Sequence, residues 1–179
     1  DYPAIDSRIL FWMNWKYQVP GVLYYAINIW EQNRSTDEDA VHVHEDKAAL
    51  QAIADGKRWP EIPWNTFSCS TWNGDGQLIY PGPNGEPISS VRFACIRDGI
   101  EDYEYFHQLA LLVDKAESQG VDPTLVKSAR ELLTISDSIV ASPSQYTLDT
   151  SLLLDTRART AKMIEKLTAL VSMRQASGG

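Results

Sequence analysis

Gly21-Val22-Leu23-Tyr24-Tyr25-Ala26-Ile27-Asn28-Ile29-Trp30 is the stretch on which the reading of this chain turns. It is short, β-branched and aromatic, and it lacks the polar–apolar alternation of a strand with one face in water. It reads as a strand buried on both faces, separated from what precedes it by the Pro20-Gly21 break. Immediately upstream, Ile5 to Tyr17 places Ile9, Trp12 and Met13 on one helical stripe, with Asp6 or Ser7 as candidate caps. Downstream, residues 31–70 turn polar and mixed. A helix is expected there from about Asp46 to Ala54, ending at Gly56, before Trp59-Pro60 and Pro63-Trp64 force an irregular path.

A second strand, Gln77-Leu78-Ile79-Tyr80, lies between the turn cluster Asn73-Gly74-Asp75-Gly76 and the stop Pro81-Gly82-Pro83-Asn84-Gly85. Ser89 or Ser90 then caps a long helix with Val91, Cys95, Ile96, Ile100, Tyr103, Phe106, Ala110 and Val113 at helical spacing. Gly99 inside that helix costs about 1 kcal/mol relative to Ala, which predicts a close approach by a neighbouring element. Asp122-Pro123 is an N-cap and N1 pair opening a helix with Leu125, Ala129, Leu132, Ser136 and Ile139 inward. Asp149 or Thr150 opens the last helix, with Leu154, Ala158, Ala161, Ile164, Leu167 and Val171 inward.

Strands alternating with helices imply parallel pairing through crossovers, and the fold class is α/β. Two parallel strands alone bury little and leave both edges unpaired. The expectation is therefore the end of an α/β architecture whose earlier strands lie outside the sequence, with residues 1–118 in that architecture and residues 119–175 forming a C-terminal helical segment.

The chain has 179 residues, 44% of them hydrophobic, as expected of a globular protein rather than a disordered one. Its longest apolar run is the six residues from Val22 to Ile27, far short of the roughly 20 that span a bilayer. With 24 acidic against 16 basic side chains, the net charge is −8. A field of that sign, with no basic patch evident along the sequence, excludes nucleic acid as an expected partner. Cys69 and Cys95 are too few for a disulfide scaffold and lack zinc-site spacing. No motif asks for a cofactor. The first residue is Asp1, with no signal-peptide pattern after it, and the chain reads as beginning partway through a longer gene product.

Four blocks of residues carry a resemblance: Arg8 to Tyr17; Gly21 to Tyr25; Asn73 to Gly82; and Ser90 to Phe93 with Arg97-Asp98-Gly99-Ile100-Glu101-Asp102-Tyr103-Glu104-Tyr105. In order, across residues 3–115, they resemble the C-terminal part of the catalytic region of glycoside hydrolase family 123. The resemblance implies a (β/α)₈ TIM-type barrel whose last two strands are Val22 to Ile29 and Gln77 to Tyr80, closed by the helix from Ser90. It also implies a retaining β-N-acetylgalactosaminidase that uses the substrate's own 2-acetamido group as nucleophile, an exception to the two-carboxylate scheme. The family's adjacent Asp-Glu pair belongs to an earlier strand and is not placed in this chain. The chain departs from the family in carrying Tyr25 where Trp is common, and in a longer excursion from Glu31 to Ser70.

Barrel enzymes build their sites at the C-terminal ends of strands, which nominates Asn28 and Trp30 after the first strand and Tyr80 at the end of the second. Tyr25, Trp64 and Trp72 extend the same wall. Asn offers hydrogen bonds to sugar hydroxyls, and Trp and Tyr offer flat faces to the apolar side of a pyranose. The competing reading for each aromatic is core packing. Glu101, Asp102 and Glu104 read as a structural set, because the four-residue step from Arg97 to Glu101 allows ion pairing along the helix. His42-Val43-His44 with Glu45 or Asp46 has the residue types of a metal site but reads as a solvated face. Asn73 to Gly76 reads as a turn, and Cys95 as an inert thiol on an apolar stripe. The leading expectation is the C-terminal portion of a glycoside hydrolase acting on a glycan, with the catalytic pair in an N-terminal part of the same protein. The alternative is a non-catalytic carbohydrate-binding or scaffolding module, and a third reading is an excised fragment.

Overall fold

The computed structural model describes residues 3–28, 51–52, 54–57, 61 and 77–177. The chain forms two compact units, Leu23–Ala94 and a second assembled from Tyr2–Val22 and Cys95–Gly179. Among the described residues the elements are helix α1 (Ile5–Lys16), strands β1 (Ile79–Pro81) and β2 (Pro87–Ser89), helices α2 (Val91–Ser118) and α3 (Pro123–Leu132), strands β3 (Val140–Ser142) and β4 (Gln145–Tyr146), and helix α4 (Thr150–Ser177). The fold is mixed helix and sheet, consistent with the α/β class.

In the unit Leu23–Ala94, β1 and β2 form an antiparallel hairpin in the register Ile79↔Ser89, Tyr80↔Ile88, Pro81↔Pro87. The turn is closed by the Gly82 N–H donating to the Glu86 carbonyl at 2.7 Å. Asn28 forms an isolated antiparallel bridge with Gln77, and the Ile27 carbonyl accepts from Leu78 N–H at 2.9 Å and Ile79 N–H at 3.0 Å. The strand expected from Val22 does not form: residues 22–27 make no ladder among the described residues and bend at Tyr25 and Ile27, with Leu23 96% and Tyr25 85% exposed. The parallel pairing is corrected as well, since every pairing seen is antiparallel. A turn as short as that between Pro81 and Pro87 can return the chain only antiparallel, whereas parallel partners need a crossover of a dozen or more residues.

The second unit is built on two contiguous apolar clusters. Ile5, Ile9 and Trp12 of α1, spaced to share one helical face, pack with Phe106, Ile135, Ile139, Val140 and Leu153. Leu109, Val113 and Ala116 of α2 pack with Val121, Val126, Ala129, Leu167 and Val171. Trp12 meets Phe106 edge to face at 5.0 Å, and Trp15 meets Tyr103 in the same way at 5.4 Å. At Gly99, α1 and α2 come so close that a Cβ would stand 2.7 Å from the Arg8 carbonyl oxygen and 2.5 Å from the Phe11 ring. The close approach expected there is present.

Helix ends follow local chemistry with two departures. Ser90 caps α2, its Oγ accepting the Phe93 N–H at 3.1 Å, and Asp122 caps α3 by accepting the Thr124 N–H, with Pro123 in the first turn. Gly120, at φ 68°, ends α2 in the left-handed conformation that glycine adopts without strain. Ala4, not Asp6 or Ser7, is the N-cap of α1 and supplies no side-chain bond, leaving Asp6 in the first turn where its charge complements the helix dipole. The second departure is α3, which stops at Leu132 instead of reaching Ile139. Ser136 Oγ accepts the Ser138 N–H at 3.1 Å, a local bond that competes with helical pairing. The chain then enters the β3–β4 hairpin, which had no counterpart in the sequence reading.

Candidate functional site

Two of the nominated residues, Asn28 and Tyr80, lie on the segments that meet at the β1 strand. The Asn28–Gln77 bridge lays the end of the exposed segment beside the residues that lead into β1. Tyr80 is half-buried on β1. Arg92, in the first turn of α2, donates from Nη2 to the Tyr80 hydroxyl at 2.8 Å and to the Gln77 carbonyl at 2.7 Å. Ser90 Oγ donates to the Leu78 carbonyl at 2.5 Å, tying the helix start to the same strand. With a guanidinium as donor, the phenol oxygen of Tyr80 acts as acceptor and its own proton is directed to a different partner. This is suitable chemistry for a sugar hydroxyl or carbonyl oxygen.

Asn28 is exposed and lies next to Gln77; Tyr25 is exposed and, among the described residues, makes no ring contact or hydrogen bond. Trp30, Trp64 and Trp72 lie outside the described residues, as do His42, His44, Glu45, Asp46, Cys69 and the turn at Asn73 to Gly76. Among the described residues no three His, Cys, Asp or Glu side chains gather as a metal site. Cys95 is a half-buried free thiol.

A second polar cluster stands in the other unit around Asp102, whose side chain is fully buried. Its carboxylate accepts from Arg8 Nε at 2.7 Å, Arg8 Nη2 at 3.0 Å, Trp12 Nε1 at 2.8 Å and Arg157 Nη1 at 2.9 Å. Arg157 also donates to Glu101 at 2.9 Å and lies 4.8 Å from the centre of the Tyr105 ring. Burial works against the Arg157 charge, but the Glu101 hydrogen bond, the Asp102 charge and Tyr105 outweigh it and raise the guanidinium pKa above its ordinary value. All four acceptor directions of the carboxylate are occupied, so Asp102 locks helices and has no lone pair directed at a reacting group. The Arg97–Glu101 pair expected along the helix is present at 3.8 Å.

Sequence reasoning missed Arg92 as a site residue, although it stands in one of the quoted blocks. Its two-residue offset from Ser90 is a signal only once the helix is known to start there, because the first turn then points its side chain back at the preceding strand. Arg8, which opens another of the quoted blocks, and Arg157 gave no local signal of their shared partner Asp102.

The model of the family described as Glycoside hydrolase 123, catalytic domain, matches residues 1–109. The chain belongs to the glycoside hydrolase 123 family. The matched stretch takes in α1, the exposed segment with Asn28, the β1–β2 hairpin and α2 as far as Leu109. In this glycoside hydrolase 123 chain, α3, the β3–β4 hairpin and α4 lie beyond the match. No curated protein matches the chain.

Proposed function

We propose that the chain is the C-terminal portion of a barrel glycoside hydrolase acting as a retaining β-N-acetylgalactosaminidase, with Tyr25, Asn28, Trp30, Trp72 and Tyr80 contacting the glycan. The observation that carries this is the family match over residues 1–109, joined to a Tyr80 hydroxyl held by Arg92 beside the Asn28 bridge. The exposed apolar residues Leu23 and Tyr25 support the barrel reading, since an exposed apolar segment with a single bridge is what neighbouring strands would cover.

In the proposed reaction the 2-acetamido oxygen attacks the anomeric carbon as the glycosidic bond breaks, an Asp orients that amide, and an adjacent Glu protonates the leaving oxygen and later activates water. The residues of this chain bind and orient the sugar. The Asp-Glu pair is assigned to a segment outside the sequence. Asp37-Glu38 is the one adjacent Asp-Glu step within it, in the polar excursion rather than at the end of a predicted strand.

The test compares the 179-residue chain with the full gene product on a 4-nitrophenyl 2-acetamido-2-deoxy-β-galactoside. Release of nitrophenol with retained anomeric configuration is expected from the full product only. Turnover by this chain alone would falsify the division of labour, and loss of activity in Asp37→Asn or Glu38→Gln would move the catalytic pair into residues 31–70. A full product that binds the glycan and never cleaves it would favour the carbohydrate-binding module.

A further inference from the structure

Beyond the family match, in the unit that holds the helices, a cavity of about 570 Å³ opens between the end of α3, the loop after it and one side of α4. That volume falls within the range of about 300–1,000 Å³ typical of small-molecule sites. Its floor is aliphatic: Leu132, Ile135, Ile139 and Met163 line it, Leu132 and Met163 half-exposed and the two isoleucines at the edge of the core. Its α4 wall carries Arg159, Lys162 and Lys166. Their steps of three and four residues put them on one helical face, over about 10 Å of axis.

The row of cations is the unusual feature in a chain of net charge −8. Asp155 stands four residues before Arg159, and Glu165 three after Lys162, the separations at which helical ion pairs form. Yet among the described residues none of the three cations makes an ion pair within 4.0 Å. Glu131 is the one acidic residue lining the cavity, so the lining carries a surplus of positive charge over an apolar floor. No aromatic side chain lines it, which distinguishes it from a sugar platform. An aliphatic floor beside uncompensated cations is complementary to a small molecule with both an apolar body and an anionic head.

We infer that this cavity is a binding site for an amphipathic anion, a compact aliphatic chain ending in a carboxylate or phosphate. The chain lies along Leu132 and Met163 while the head is held by Lys162 and Lys166, with Arg159 extending the wall. The site is independent of the glycosidase reading, and all its lining residues lie beyond residue 109.

The test follows the Met163 methyl resonance in the full chain during titration with dodecanoate, dodecyl phosphate, inorganic phosphate and dodecyltrimethylammonium, each below its micellar concentration. Saturable shifts with dodecanoate or dodecyl phosphate are expected, the tighter of the two identifying the head group. Lys162→Glu with Lys166→Glu should weaken binding at least tenfold. Both side chains are exposed, and the double variant Lys162→Ala/Lys166→Ala serves if the charge reversal perturbs folding. Three outcomes overturn the site: inorganic phosphate binding as tightly as the amphiphiles, the cationic amphiphile binding equally well, or no saturable shift in Met163.

Discussion

At Asp102 a single carboxylate is asked to satisfy two guanidinium groups and an indole N–H, with no water-exposed side to relax into. Removing it leaves Arg8 and Arg157 facing one another without their shared counter-charge. Breaking a buried pair from one side costs about 3–5 kcal/mol, and Asp102→Ala is expected to lose that much in urea unfolding. A loss below 1 kcal/mol would mean that the cluster is open to solvent. Gly99 poses the opposite problem, since alanine there improves helix propensity by about 1 kcal/mol but must fit against the Arg8 carbonyl and the Phe11 ring. Backbone cannot yield as a flexible side chain does, so Gly99→Ala is expected to destabilise by a net of about 1–3 kcal/mol. Unchanged or increased stability would show that α1 can shift away from α2.

Among the elements, α4 shows how far helical spacing alone can go. Its C-terminal half buries Leu167 and Val171 as the periodicity predicts, but its N-terminal half buries Leu153, Thr156 and Thr160, leaving Leu154 51% exposed. Thr160 is accommodated because its hydroxyl donates to the Thr156 carbonyl at 2.9 Å. A similar rotation occurs in α2, where Asp102 and Leu109 take inward positions and Val91 is 70% exposed. At the start of α4, Asp149 accepts from both the hydroxyl and the N–H of Ser151, and these two bonds lower its pKa. A carboxyl with a depressed folded-state pKa adds stability above its unfolded pKa of about 4 and loses it as pH falls through the folded value. Asp149→Ala is therefore expected to lower Tm at pH 7, with the gap to the unmodified chain narrowing as the pH falls below about 4. A gap constant with pH would assign the effect to something other than the ionised cap.

For the molecule as a whole, the family match ends at residue 109, but the packing does not. Arg157 of α4 completes the Asp102 cluster, and Leu153, Leu167 and Val171 belong to the same cores as α1 and α2. Deleting residues 150–177 is expected to abolish cooperative unfolding of the remainder, as followed by circular dichroism; retained cooperativity would make α4 an appendage. On the activity side, the proposed glycan contact at Tyr80 is tested by Tyr80→Phe in the full gene product, which removes the hydroxyl held by Arg92. The expected result is a fall in kcat/KM of about tenfold, the equivalent of about 1.4 kcal/mol. An unaltered value would remove Tyr80 from the substrate wall.

Residues close in sequence specified what close neighbours can specify. Ile9 and Trp12 marked the face of α1; Ser90, Asp122-Pro123 and Asp149 marked where helices begin; Gly99 marked a close contact; and the ordered blocks marked the family. Capping, turn and periodicity signals act within a few bonds of the residues that carry them, so one chain written out is enough to read them. The inward register of α2 and α4, the exposure of Val22 to Ile27, the return of the chain at Pro81 to Pro87, the Arg8–Asp102–Arg157 cluster and the cationic wall over an aliphatic floor were decided only in three dimensions. Each depends on partners tens of residues away, and for such partners the free energy of burial and charge pairing is fixed by what packs alongside, not by what precedes or follows along the backbone.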